Sequence, residues 1–559
     1  MKKKGLAIGV ENFKAIIDGN SYYVDKTSFI KELLDKSSSG GVRLFLRPRR
    51  FGKTLALSTL RYFLDIEEKD NAYLFKNLEI AKDLELCEKY QNKAPVIFFT
   101  LKGVNGNTKE DFLNSFNAQL LSEYKRHRYI ETKLDNGMEK KVFNRLLAGE
   151  GIANDFKIYL SLLEKALYDY YGIKPIVLID EYDVPLNTAH YSGCFDFVVD
   201  IIKEMFSNGL KTNDNLEFAV ITGCLQIAKN QIFTGLNNPG IYPVTDTLYT
   251  NSFGFTKEET KELLSYYNLD NRFKDVVDNY DGYHIGKWEI FNPHSLLNFV
   301  SRAVEDDSFH CKNYWVTTSG NAILKEMLIA SLEDAELKQI FETLISGECT
   351  KVKIDSSITY DTMMESNSAI MGTLLYSGYL TTIESFEDDF YNVKIPNKEV
   401  LTCFINLVEE LNKSKVEEKT PIFIKALLDK DTVSAKQYLN KLYESILKVR
   451  DKTSKENNYH YFLAAILALN PIKGWRFISQ AESIDGYSDF VLDGDDNVII
   501  IEEKVVSTPK AIETETKKAF KQIEDRNYAL EYETLKVSNI LKYAIIYYNH
   551  RAYITLGDE

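Results

Sequence analysis

Long apolar runs are missing from this sequence. No stretch approaches the ~18 residues that a membrane-spanning helix requires. The basic start, MKKKGLAIGVENF, is followed only by Leu6 to Val10 before polar residues return, too short for the apolar region of a secretory signal. The expectation is a cytoplasmic chain with no membrane partner. Paired cysteines are missing too. The six cysteines (Cys87, Cys194, Cys224, Cys311, Cys349, Cys403) form no CxxC, and the seven histidines are equally dispersed. Neither a zinc site nor a disulfide framework is suggested, and buried free thiols are the plainer reading. Positive charge is in deficit, with a net charge of -14 at pH 7. The surface as a whole does not attract nucleic acid, although a local basic groove remains allowed. What is present is ordinary for a globular protein: 44% hydrophobic and 27% charged residues. A chain of 559 residues accommodates about three or four domains, each with its own core. No internal repeat and no low-complexity tract stands out.

The stretch VRLFLRPRRFGKTLALSTL, Val42 to Leu60, carries the first chemistry. Val42 to Leu46 reads as a buried strand, bounded by Ser-Ser-Gly-Gly before and Arg-Pro after. Leu55, Leu57, Leu60 and Leu64 read as the apolar stripe of a helix. Gly52-Lys53-Thr54 therefore lies between a strand and a helix N-terminus, where backbone N–H groups and the helix dipole favour an anion. In a phosphate-binding loop the lysine reaches the β- and γ-phosphates and the threonine hydroxyl ligates magnesium. The general pattern asks for glycine at position 47, where this chain has Arg47 followed by Pro48. A second motif, PIVLIDEYD (Pro175 to Asp183), is an apolar strand ending in Asp180-Glu181. A strand-end aspartate can hold magnesium, and the glutamate after it can orient or deprotonate an attacking water. Further strands are expected at Pro95 to Thr100 and at Glu217 to Gly223, the latter ending in Thr222. Thr222 is equally readable as a site residue or as an ordinary strand end. Strands with polar C-terminal ends beside a phosphate loop suit a parallel sheet with its site at those ends.

LRPRRFGKT, with YYVDKTSFIKELL before it, resembles the bacterial AAA-ATPase-like family of P-loop proteins. QIFTGLNN (Gln231 to Asn238), SFGFTKEE, YDGYHIG (Tyr280 to Gly286) and FNPHSLLNF resemble its further blocks, so the likeness covers about residues 5–400. The loop R-P-R-R-F-G-K-[ST] is usual in that family, so Arg47 departs from the general pattern and not from the family. The resemblance implies an α/β P-loop domain that binds and hydrolyses ATP with Mg2+. It implies cofactor-binding roles for Arg49, Arg50, Phe51, Gly52, Lys53, Thr54, Asp180 and Thr222, with Glu181 catalytic and Thr54 and Asp180 on the metal. One departure stands out: TGCLQIAKN places Gln226 where the family often has a basic residue, which puts a sensor role there in doubt. Asp25 and Lys26 are readable as neighbours of the nucleotide or as a charge pair at a helix start. Arg49 and Arg50 are readable as contacts to phosphate in cis, as contacts in trans to a neighbour in an oligomer, or as a basic brace within the loop.

Thr256-Lys-Glu-Glu259 is a capping box opening a helix to about Tyr267. From there to about residue 330 the pattern is mostly helical and lid-like. A helix ending near Tyr376-Ser-Gly378, then two strands, Tyr379 to Ile383 and Phe390 to Ile395, suit a winged-helix module. The acidic turn between those strands argues for a structural wing over one that reads DNA. Residues 399–450 read as two or three amphipathic helices serving as solvated connectors.

The last segment holds a second constellation. Tyr487 to Leu492 and Val498 to Val506 are strand-like runs around Asp493-Gly-Asp-Asp-Asn497. Pairing Asp493 with Val498 places Asp489 opposite Glu502, and Lys504 shares the face of Glu502. Two carboxylates can hold magnesium against a phosphodiester, and a lysine beside them can position water and stabilise developing charge. This D…E-x-K pattern resembles the PD-(D/E)xK nuclease superfamily, a domain that commonly follows the AAA-ATPase-like domain. The resemblance implies a nuclease-like α/β domain with catalytic Asp489, Glu502 and Lys504 and metal ligands Asp489 and Glu502. Glu456 and His460, four apart on a helix from Glu456 to Leu469, and Gln522 on the helix after E-x-K match further pieces. Ser488 replaces the usual proline, and Glu503 replaces the usual apolar residue between Glu and Lys. Facing away from the site, a buried Glu503 is costly unless paired.

The domain plan is then residues 1–255 for the P-loop domain, 256–330 for a helical lid, 331–450 for a helical and winged-helix-like middle region, and 451–559 for the nuclease-like domain. The first functional expectation is an ATPase coupled to a domain that cleaves or binds DNA or RNA, in host defence, mobile-element biology or repair. The alternative is an ATP-dependent switch or signalling protein whose nuclease-like domain is inactive and only binds. A nucleotide-binding scaffold without turnover is disfavoured by intact Lys53, Thr54, Asp180 and Glu181.

Overall fold

The computed structural model describes residues 3–36, 40–134, 137–225, 232, 239–306, 308–315, 322–331, 334–355, 358–359, 362–412, 422–446, 459, 463, 467, 475–483, 486–494, 496–535, 537–549 and 551–557. The chain divides into two compact units. One comprises Met1–Ser319, Val352–Tyr391 and Pro396–Glu399; the other comprises Gly320–Lys351, Asn392–Ile395 and Val400–Glu559.

The first unit is built on a parallel sheet. Its strands are β1 (Gly41–Leu46), β2 (Val96–Thr100), β3 (Ile176–Asp180), β4 (Phe218–Gly223) and β5 (Gly240–Tyr242). Their order is β2-β3-β4-β1-β5, with every neighbouring pair parallel. The central strands are buried on both faces, which is why Leu44 to Leu46, Val177 to Ile179 and Ala219 to Ile221 read as continuous apolar runs. Helix α1 (Lys53–Leu64) leaves β1 through Gly52, whose φ of 86° lies in the left-handed region that glycine tolerates best. The C-terminal ends of β1, β3 and β4 thus lie side by side.

The expected lid region has its capping box. The Thr256 hydroxyl accepts from the Glu259 N–H, and the Glu259 carboxylate accepts from the Thr256 N–H. Helices follow at Lys257–Tyr266, Phe273–Tyr280 and Pro293–Ala303. A small antiparallel sheet interrupts them, with Trp288–Phe291 between Phe255–Thr256 and Tyr283–Ile285. These strands are too short for an alternating pattern to stand out among helices, so the mostly helical reading passed over them. Further along, helix Asn367–Ser377 ends at Gly378 and is followed by strands Thr381–Ser385 and Phe390–Lys394, as its pattern suggested.

In the second unit, strands β6 (Arg476–Ser483), β7 (Gly486–Gly494), β8 (Asn497–Val505), β9 (Asn539–Tyr548) and β10 (Arg551–Leu556) form one sheet in sequence order. Only the β8–β9 pair is parallel, and helix α2 (Ala511–Asp525) makes the crossover between them. Ile523 of α2 packs with Val491, Val498 and Ile500, which identifies the face of the sheet that α2 covers. The helices expected as solvated connectors occur at Lys398–Asn412, Ile422–Leu428 and Thr432–Ile446, but none of the three is solvated: Val400 and Phe404 of the first are fully buried. Leu427, Ala435 and Leu439 are buried. The Tyr543 hydroxyl donates to the Leu427 carbonyl at 2.5 Å. Asn440 accepts from the Ala552 N–H at 2.7 Å and donates to its carbonyl at 3.0 Å. Strand β10 is the sheet edge, and Asn440 satisfies backbone groups that would otherwise be open to another strand. Tyr459, Leu463 and Leu467 are buried at helical spacing, while Glu456 and His460 lie outside the described residues.

Candidate functional site

The phosphate loop is anchored through its unusual first half. Arg47 is fully buried and braces the loop from below. Its guanidinium donates to the carbonyls of Leu46 at 2.9 Å, Tyr242 at 2.7 Å and Tyr249 at 3.1 Å, and lies over the Phe253 ring. Burial pulls its pKa down to about 10. A glycine there would leave those strand and loop carbonyls without this donor. The Phe51 ring meets the edge of Tyr283, and the Phe51 carbonyl accepts from the Gly254 N–H at 3.0 Å. Residues from the SFGFTKEE and YDGYHIG blocks therefore meet at the loop.

Lys53 is buried and turned onto its own loop. Its ammonium donates to the carbonyls of Arg47 at 2.8 Å and Pro48 at 3.0 Å, and to the Cys224 thiol at 3.2 Å. Burial draws Lys53 down, but Cys224, Glu181 and Asp183 hold it above its ordinary value. Asp180, fully buried at the end of β3, accepts from the Thr54 hydroxyl at 2.7 Å and the Thr222 hydroxyl at 2.6 Å. Burial pushes its carboxyl up, and those two hydrogen bonds pull it back in part. Glu181 has a φ of 52°, a conformation that costs a non-glycine residue on the order of 1–3 kcal/mol. Its half-buried carboxyl is raised by burial and by neighbouring Asp180. Among the described residues that carboxylate makes no hydrogen bond or ion pair, and the same holds for the guanidinium groups of Arg49 and Arg50. Asp183, Cys224 and Glu181 surround Arg49 with acidic groups, while Arg50 lies close enough to His294 to help burial lower its pKa.

Two residues of this site escaped the sequence reading. Asp183 accepts from the N–H groups of Cys224 at 2.9 Å and Leu225 at 3.0 Å and so fixes the chain leaving β4. The signal was its place two residues beyond Glu181 in DEYD. Cys224, grouped with the inert thiols, touches the loop lysine; nothing in its sequence context marks it. Gly223 is required for space, since a Cβ there would come within 2.4 Å of the Tyr182 ring. Asp25 accepts from the Thr27 and Glu79 N–H groups, and Lys26 pairs with Glu259 at 2.6 Å. Gln226 and the QIFTGLNN block, Ile232 excepted, lie outside the described residues.

The second constellation is assembled by register. Asp493 pairs with Val498 and Phe490 with Ile501, and Asp489 and Glu502 are the next residues outward from the last of these pairs. Alternation then places Asp489, Glu502 and Lys504 on the same face as Val491 and Ile500, the face that α2 covers. Lys504 donates to Glu502 Oε1 at 2.8 Å, and Asp489 accepts from the Glu503 N–H at 2.7 Å. Glu502 is buried, and among the described residues its Oε2 has no hydrogen-bond partner. Burial, followed by the Asp489 carboxylate, pushes the Glu502 carboxyl up to about 7. Gln522 donates to the Tyr528 hydroxyl at 3.3 Å, and Tyr528 lies within the field of both Glu502 and Asp489. Glu503 is on the opposite face and buried there, but not stranded: it accepts from the Tyr547 hydroxyl at 2.5 Å. The Tyr547 ring in turn stacks on Tyr459 with centroids 4.3 Å apart.

Comparisons with known proteins match two stretches of the chain. Residues 7–233 match the family described as Predicted AAA-ATPase, and residues 454–555 match the PD-(D/E)XK nuclease superfamily. The chain therefore carries an AAA-ATPase-like domain and a nuclease-superfamily domain at its C-terminal end. An uncharacterized protein from the vnfD 5' region of Azotobacter chroococcum mcd 1 is 26% identical over 332 residues, covering 59% of this chain. The match spans 57% of that relative's length. Among solved structures, the Aeropyrum pernix ORC2 protein in ADPNP-ADP complexes aligns at 10% identity and a TM-score of 0.25, over 68% of this chain and 92% of that one. Drosophila ORC bound to DNA aligns at 10% identity and a TM-score of 0.23, over 71% and 89%. Similarity at that level bears on neither fold nor function here. No helix among the described residues is long and apolar enough to cross a membrane.

Proposed function

From a chain that carries an AAA-ATPase-like domain ahead of a nuclease-superfamily domain, we propose a cytoplasmic P-loop ATPase coupled to a domain that acts on or binds nucleic acid. Domain limits near residues 255, 330 and 450 belong to the same proposal. The observation that carries the ATPase half is the meeting of Lys53, Thr54, Asp180 and Thr222 at the ends of three parallel strands, beside an unpaired Glu181. Lys53 exchanges its two loop carbonyls for β- and γ-phosphate oxygens, while Arg49 and Arg50 add positive charge without first breaking a bond. A hydroxyl and a carboxylate suit magnesium, so Thr54 and Asp180 would hold it. Magnesium supplies neutralisation of charge on the phosphates. Thr222 keeps the Asp180 carboxylate aimed, and Glu181, with its carboxylate unengaged, takes the proton of the attacking water.

In the nuclease-like domain, the unpartnered Glu502 Oε2 is an acceptor that a cation fits, with Asp489 as the second ligand. Held there, magnesium would supply a lowered pKa for water and polarisation of the phosphodiester. Lys504 orients the water and stabilises charge on the phosphate oxygens. The competing reading, a switch whose nuclease-like domain only binds, is favoured by the net charge of -14. The burial of Glu503 no longer favours it, because Tyr547 pairs with that carboxylate.

The test of the ATPase is magnesium-dependent ATP turnover, with and without DNA, for the wild type beside Lys53→Ala and Glu181→Gln. Loss in both variants is expected, with stimulation by DNA if the domains are coupled. No turnover under any condition would leave a nucleotide-binding scaffold or a switch.

A further inference from the structure

The first half of the phosphate loop is tied, within the same unit, to residues far along the chain. Pro48 lies against Gly378, where an added Cβ would come within 2.6 Å of the proline ring. The next residue, Tyr379, meets the Trp315 ring edge-on, with centroids 5.2 Å apart. Trp315 is 1% exposed, and its indole N–H donates to the Arg49 carbonyl at 3.2 Å. Trp315 is held in turn by Glu399, also 1% exposed. Glu399 Oε1 accepts from the backbone N–H groups of Tyr314 and, at 2.7 Å, Trp315; Oε2 accepts from the Ser295 hydroxyl at 2.7 Å.

A buried carboxylate is expensive unless several donors meet it, and here three do. Their combined effect is to fix the backbone at Tyr314 and Trp315, so that the indole reaches the loop. The carbonyl it reaches immediately precedes Arg50, whose φ of 69° begins the left-handed turn that ends at Gly52. That turn sets the direction of the loop N–H groups and of Lys53.

We propose that Trp315 and Glu399 are positioning residues for the nucleotide, holding the Arg49–Arg50 turn in its phosphate-accepting shape and coupling occupancy of the loop to the Tyr314–Trp315 segment. This rests on the reading of the loop as an ATP site. Burial pushes the Glu399 carboxyl up to about 7, against the pull of its three hydrogen bonds. The titratable groups set against it are the Tyr280 and Tyr314 hydroxyls, both raised by burial and neutral at pH 7. Cys311, beside Tyr280, is raised to about 11 by burial, and Lys398 faces Asp278 at 3.9 Å. His294, next to Ser295, is pulled down by burial and by Arg50. Glu399 is therefore the group whose charge changes near pH 7. The ionised carboxylate is the stronger acceptor, so the hold on Trp315 weakens as pH falls through about 7.

The experiment is equilibrium binding of a non-hydrolysable, fluorescent ATP analogue with magnesium, on either side of pH 7, to the wild type, Lys53→Ala, Trp315→Phe and Glu399→Gln. Lys53→Ala reports the site itself. Trp315→Phe is expected to weaken binding on the order of tenfold, the effect of one lost hydrogen bond at a strained turn. Wild-type affinity is expected to fall as pH drops through that window, and Glu399→Gln to be flat across it. Lys53-dependent binding with unchanged affinity in Trp315→Phe and an unchanged pH profile in Glu399→Gln would overturn the coupling and leave the ATP site standing. An absence of binding to the wild type would overturn both. A purely structural role for Glu399 would lower the melting temperature without moving the pH profile, and that result also overturns the proposal.

Discussion

Each unit buries a carboxylate near the end of a strand, and the two are supported differently. Asp180 is fully buried, and both of its oxygens accept from threonine hydroxyls. Glu502 is buried almost as deeply, but one oxygen meets Lys504 and the other has no hydrogen-bond partner among the described residues. A carboxylate furnished with internal donors is held in place before any ligand arrives. A carboxylate with an orphaned acceptor carries a desolvation cost of about 1–3 kcal/mol that a cation can relieve. The lysines differ too. Lys53 is folded onto its own loop carbonyls, so phosphate must displace existing bonds. Lys504 is paired with the carboxylate it would serve beside a metal. Asp180 is thus held in place by internal donors, whereas Glu502 keeps an acceptor open for the cation proposed above.

The largest effects expected are on turnover. Lys53→Ala and Glu181→Gln should each lower ATP hydrolysis by roughly a hundredfold or more, the scale of losing a charge-stabilising or proton-accepting group. Steady-state phosphate release checks this. Lys504→Ala should remove magnesium-dependent nicking of plasmid by a similar factor while leaving ATP turnover intact, as read on gels. Nicking that survives the substitution would show that the second site does not work as drawn.

Smaller effects address support directly. Thr222→Val keeps the shape but removes a donor from the Asp180 carboxylate, and should cost on the order of 1–3 kcal/mol in denaturant unfolding. Glu502→Gln should cost less than about 1 kcal/mol in metal-free protein, because the native carboxylate is itself poorly satisfied there. Equal losses from the two substitutions would erase the contrast between the sites. The last expectation is a shift in melting temperature. Magnesium alone should raise it in the wild type by linkage, and the rise should vanish in Glu502→Gln.

Much of this was legible in the residues. The strand–loop–helix around Lys53 follows from an apolar run, a glycine and a leucine stripe. The register that gathers Asp489, Glu502 and Lys504 follows from a short turn and a period of two, and the pairing of Asp493 with Val498 is observed. Three features were not legible, each for a physical reason. The helices at Ile422–Leu428 and Thr432–Ile446 are amphipathic in sequence, but what their apolar faces cover besides each other, the sheet beside Tyr543 and Ala552, is supplied by residues more than 100 positions away. Glu503 looked like a defect because its partner, Tyr547, is 44 residues away. Cys224 carries no local signal, since its importance is its contact with Lys53.

The sequence by itself determined the local chemistry: which apolar runs around Lys53, Asp180 and Glu502 form strands, where the backbone must turn through glycine, and which carboxylates share a face. These depend on propensity, periodicity and near neighbours, all of which act over a few residues. Only the tertiary structure decided which of those groups are satisfied. Arg47 became a brace because three carbonyls from separate segments converge on it. Asp180 received its donors from the first turn of α1 and the end of β4, and Trp315 reached the phosphate loop across 266 residues of chain. Satisfaction of a buried polar group is set by partners that meet through packing, and local sequence carries little record of them.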